Sequence, residues 1–216
     1  MHAILNGDSQ YFGVIITVGT EEMIALKTRL ADDSRGKFYQ ILLGVWAMVA
    51  LYAMAHDQYI VRIAPQHFAL YHPRLFPIAD LKLFALMYSF VASFSPGLAL
   101  GTAAFFVARA GSLPKIPVRA ILAGAAIVII LTEATAAMLG VAAYISNAPV
   151  LPAILYPEMT RPILVTQTIQ LTCYPAAACF SLLFLALLPM KRRRLGCQQS
   201  GGACGLPEAG KTTAYP

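Results

Sequence analysis

Glu133 lies 13 residues after Ala120 and 12 before Ile145, near the middle of a 26-residue run otherwise free of charge. A carboxyl group at bilayer depth is costly, faces the interior of a helix bundle and marks an ion or proton pathway by default. Burial favours the neutral acid over the carboxylate. Proton relay or cation coupling is therefore the functional reading of Glu133. The structural reading is a neutral acid donating one interhelical hydrogen bond, worth about 0.6 kcal/mol.

Two irregularities fall at similar depth. Ser95-Pro96-Gly97 interrupts one uncharged run, and Tyr174-Pro175, four residues after Gln170, interrupts another. Proline removes an amide donor and clashes with the preceding turn. In transporters, carbonyls freed by broken helices bind substrate or ions near the midplane. The expectation is one intramembrane polar site built from Glu133, Ser95, Pro96, Gly97, Gln170, Tyr174 and Pro175.

Histidines raise a second chemistry. His56, His67 and His72 lie in one stretch with Asp57 and Asp80, and neutral imidazoles beside carboxylates bind zinc or copper. The spacing opposes a ready-made local site. His67 and His72 stand about 140° apart round a helix, and on opposite faces of a strand. An interfacial loop in which Tyr59, Phe68, Tyr71 and Phe76 sit at headgroup depth is the competing reading.

Other motifs carry less. Gly205 to Thr212 matches the phosphate-loop pattern G-x-x-x-x-G-K-[ST], but that chemistry needs a strand before it and a helix after it. Gln198-Gln199-Ser200-Gly201-Gly202 precedes it and four residues follow, so no nucleotide is expected. Cys173 and Cys179 are six apart in one apolar run, and Cys197 and Cys204 follow the last basic cluster. No disulfide is expected on that side of a membrane, and Cys197 is placed for lipidation. No histidine falls inside an uncharged run, which speaks against a bis-histidine haem. H-E-x-x-H and G-x-S-x-G are absent. No cofactor or catalytic residue is indicated.

The elements that must hold these residues follow from composition. The chain has 58% hydrophobic and only 12% charged residues, and its mean hydropathy is +0.66. An ordinary soluble domain is about one quarter charged. This excludes extensive disorder and a water-soluble globule, and points to a bilayer. A spanning helix needs about 20 apolar residues, and four uncharged runs qualify: 38–55, 83–108, 120–145 and 163–190. Each is read as a helix, because a lipid-embedded segment must satisfy its own backbone. The fold class is all-α, a polytopic four-helix membrane bundle. It becomes three helices if the first run is a signal peptide cleaved after Ala53-Met54-Ala55.

Of the 16 lysines and arginines, 12 fall on one side of these spans and 4 on the other. Positive residues stay cytoplasmic, which predicts both termini inside a cell membrane. The net charge of +6 is then a topology signal and needs no nucleic acid. Three regions follow: 1–37, a leader with an amphipathic helix near Met23–Leu30 (Met23 being an alternative start); 38–190, the bundle; and 191–216, a basic then disordered tail.

Small residues recur every fourth position. Ser89, Ser93, Gly97 and Gly101 do so in the second run, Thr132, Ala136 and Gly140 in the third, and Cys173, Ala177 and Ser181 in the fourth. Such faces let helices approach closely within a bundle or between subunits. The first functional reading is a non-enzymatic accessory, assembly or structural subunit, partnered by lipid and by copies of itself or other membrane subunits. The alternative is a small proton- or cation-coupled transporter using Glu133. A third is metal handling through His56, His67 and His72.

Overall fold

A computed structural model describes residues 35–199. The leader helix, the alternative start at Met23 and the Gly205–Thr212 motif lie outside the described residues. Those described form helices and connections, with no strand. The helices are α1 (Arg35–Ile63), α2 (Pro65–Leu70), α3 (Leu81–Ala92), α4 (Phe94–Arg109), α5 (Val118–Ser146) and α6 (Arg161–Gln199). Among the described residues, with α3 and α4 taken as one, four helices are long and apolar enough to cross a membrane.

The expected first run ends at residue 55, but α1 continues through His56-Asp57-Gln58 to Ile63. His56 and Asp57 are buried there, so these polar residues turn into the bundle and do not form a loop. The helix stops where Pro65 disfavours a helical conformation at the residue before it: Ala64 has φ −140° and ψ 87°. Asp80 starts α3, its carboxylate accepting from the Leu83 amide at 2.8 Å, an ordinary N-cap. The second run breaks between Ala92 and Phe94, one turn ahead of Pro96, where the missing amide leaves the Ala92 carbonyl without its helical donor. α5 ends on Asn147 in the left-handed region (φ 48°).

α6 runs nine residues past the apolar stretch and keeps Pro175 and Pro189 inside it. Within this extension Arg192 is buried. Its Nε donates to the Pro114 carbonyl at 3.0 Å, Nη1 to Val107 at 2.9 Å and Nη2 to Leu113 at 2.9 Å. One planar guanidinium thus satisfies three carbonyls at the α4–α5 connection. Cys197 is disulfide-bonded, although the expected redox compartment predicts no such bond.

The packing is set by small residues. A Cβ on Gly97 would lie 3.0 Å from the Trp46 Cα, and one on Gly101 would lie 3.0 Å from the Leu42 Cα. These residue numbers run in opposite directions, so α1 and α4 are antiparallel. α5 and α6 are antiparallel as well, Gly124 facing Phe184 and Gly140 facing Ile169. Two apolar clusters result. One gathers Ile41, Val45, Phe105, Ile121 and Leu188, the other Ile60, Phe68, Phe84, Val165 and Ile169. The outward faces stay apolar, including Leu51, Ile127, Ile130, Met138, Val141 and Leu182.

Candidate functional site

Tyr52, His56 and Tyr59 are spaced i, i+4 and i+7 on α1, which places them on one face of a helix. Glu133 comes from the middle of α5 and Cys173 from α6. Along each helix these residues fall where one apolar cluster gives way to the other, so the site is a polar layer between two apolar ones.

Glu133 is the hub. Its Oε1 accepts from the Tyr59 hydroxyl at 2.7 Å, and its Oε2 accepts from the Tyr52 hydroxyl at 3.0 Å. The His56 Nδ1 lies 2.9 Å from the same Oε2 and 3.0 Å from the Tyr59 oxygen. Two hydroxyls and an imidazole N–H converging on two oxygens is the donor set that a carboxylate accepts. Cys173 closes the cluster: its Sγ is 3.3 Å from the Tyr52 oxygen and 3.9 Å from the His56 Nε2. Donor atoms of His56, Glu133 and Cys173 all lie within 4.8 Å of one another.

His56 is buried, whereas the Glu133 side chain keeps 32% of its surface. That surface opens on a groove of about 500 Å³ bounded by α1, α5 and α6. From Tyr59 and Glu133 the groove passes Val141 and Ile169 to Tyr144 and Arg161. The Arg161 guanidinium sits over the Tyr144 ring, 5.4 Å from its centroid, and Nε donates to the Asn147 side-chain oxygen at 2.9 Å. The groove walls are almost wholly apolar, so Glu133 and Arg161 are its charged groups.

The residues expected to join Glu133 lie elsewhere. Ser95 and Pro96 are exposed, and Gly97 packs on Trp46, about 15 Å from His56 along α1 by helical rise. The Gln170 side-chain amide donates to the Tyr174 hydroxyl at 3.0 Å, and Tyr174 is largely exposed. Pro175 follows Cys173 by two residues, so α6 contributes a thiol to the cluster and not the Gln170–Tyr174 pair. Of the small residues, Ser89, Ser93, Gly97, Gly101, Ala136 and Gly140 are all buried within the chain.

The histidines divide. His56 belongs to the Glu133 cluster, while His67 and His72 pair with each other, their ring centroids 5.0 Å apart. His72 stacks on Phe68, and its Nδ1 lies 3.0 Å from the His67 carbonyl. His67 is fully enclosed, with no partner for its Nδ1. Burial, helped by the neighbouring His72 and His56 imidazoles, holds its pKa down at about 4. Burial also lowers that of His72, opposed by the bond to the His67 backbone. Both rings are neutral near pH 7.

Tyr52, Tyr59 and Cys173 are the participants that the sequence reading passed over. The i, i+4, i+7 pattern on α1 was a usable signal for two of them once that helix is extended to Pro65; the thiol left none. No family model, curated protein or solved structure matches this chain.

Proposed function

We propose that the protein is a multi-pass membrane protein that binds and carries a small cation at the Glu133 cluster. The observation behind this reading is a carboxylate at helix mid-length, held by donors from α1 and still one-third exposed to a groove. A carboxylate needed only to join two helices would be served by one donor and full enclosure. Here it is oriented by three groups and left accessible, as a binding site requires.

The accessory-subunit reading rested on the short loops, the small-residue faces and the lack of a catalytic constellation. Those faces are occupied inside the chain, where Gly97 and Gly101 meet α1 and Gly140 meets α6. The Gly97, Gly101 and Gly140 positions are thus used within the chain, and this is why the carrier reading is preferred.

Reconstitution of the purified chain into sealed proteoliposomes tests the proposal. With H⁺, Na⁺ and divalent-ion gradients imposed in turn, the wild type should dissipate at least one. Glu133→Gln should abolish that flux while eluting and melting like the wild type. Identical flux in both proteins, or none from a folded wild type, would sink the carrier reading.

A further inference from the structure

We propose that His56, Glu133 and Cys173 form a binding site for a divalent transition-metal ion of the zinc type. This deepens the cation reading above and rests on it for its functional meaning. The hydrogen bonds alone account for Glu133, His56, Tyr52 and Tyr59, but they do not call for a sulfur beside the carboxylate.

Geometry comes first. Tetrahedral zinc with nitrogen, oxygen and sulfur ligands at about 2.0–2.3 Å sets neighbouring ligand atoms roughly 3.3–3.8 Å apart. Taking Nδ1 as the single imidazole ligand atom, His56 is 2.9 Å from the Glu133 Oε2 and 4.0 Å from the Cys173 Sγ. Small side-chain rotations bring three donors from three helices onto one ion. The fourth position is open to water or to the Tyr52 hydroxyl, which is 3.0 Å from the carboxylate and 3.3 Å from the sulfur.

Charge and donor type select the ion. A divalent ion displaces the Cys173 thiol proton, and thiolate plus carboxylate then neutralise its two charges exactly where a net charge is most costly. One imidazole, one carboxylate and one thiolate suit zinc or cobalt(II). Magnesium and calcium require oxygen ligands throughout. Tyr59, bonded to both His56 and Glu133, is the outer group that orients these ligands, a role that typically changes affinity by about 10–100-fold.

The test uses the tag-free full chain in lipid nanodiscs, stripped with chelator and titrated with Zn²⁺ and Co²⁺. The expected result is one zinc retained per chain through gel filtration, and a thiolate-to-cobalt charge-transfer band with Co²⁺. Cys173→Ser, a near-isosteric change, should fold and lose the band. Tyr59→Phe should keep the band and weaken binding about 10–100-fold. His72→Ala should match the wild type. A folded wild type that retains no zinc, or a band that survives in Cys173→Ser, overturns the metal site. Glu133-dependent flux of H⁺ or Na⁺ without zinc binding overturns it too, and leaves the carrier reading standing. Zinc binding with the expected band but no flux of any ion supports the site and removes the carrier.

Discussion

His67 is enclosed with an unpartnered ring nitrogen, and its pKa of about 4 lies well below the ordinary histidine value of 6.5. The unfolded chain takes up a proton near pH 6.5, whereas the folded chain refuses it until about pH 4. The neutral ring therefore contributes its full stability above pH 6.5, and that contribution drains away as the pH falls from 6.5 to 4. The slope is about 1.4 kcal/mol per pH unit at most. Thermal unfolding in detergent at pH 7.5, 6 and 5 should show this loss. His67→Leu removes a buried polar group that has no partner, so it should cost little at pH 7.5 and flatten the acid side of the profile. An unchanged profile in that variant would assign the acid sensitivity to other groups. Glu133 was visible at this scale from composition alone, as the one charge inside four uncharged runs. Its partners were not, because the chemistry of a carboxyl group is decided by side chains more than seventy positions away, such as Tyr59.

Helices were legible wherever the backbone had to satisfy itself. The uncharged runs 120–145 and 163–190 each lie inside the helix that forms, α5 and α6. Helix ends were less legible. Polar residues at 56–58 read as the start of a loop, yet their burial keeps α1 helical until a proline stops it. The break in the second run was signalled by Pro96 but falls a turn earlier, at Ser93. The crossing of α1 and α4 gives a paired prediction. Gly101→Ala places a methyl carbon 3.0 Å from the Leu42 Cα, a backbone atom that cannot rotate away, and should cost about 1–3 kcal/mol. Gly36 is also helical but has nothing within 4 Å of an added Cβ. Gly36→Ala should be neutral or gain up to about 1 kcal/mol through helix propensity. Denaturation midpoints of the two variants, measured side by side, check the packing. Equal midpoints would mean that the helices do not approach as described.

At the scale of the whole molecule, the four long elements alternate in direction, so the start of α1 and the end of α6 share one end of the bundle. Among the described residues, Arg109, Lys115, Arg119 and Lys191 to Arg194 lie at that end too. If the bundle spans a bilayer, cysteines introduced at Lys37 and Arg193 will be labelled by an impermeant reagent from the cytoplasmic side of sealed vesicles. A cysteine introduced at Arg74 will be labelled only from the other side. Labelling of all three from one side would contradict the topology. The three carbonyls held by Arg192 bear on how such a molecule moves. They rivet the far half of α6 to the α4–α5 connection, while Pro175 interrupts the hydrogen-bond ladder of the same helix just beyond Cys173. Pro175 has no amide to offer the Leu171 carbonyl, so Cys173 stands on a turn of α6 that has lost a ladder bond, while the far end of that helix is pinned.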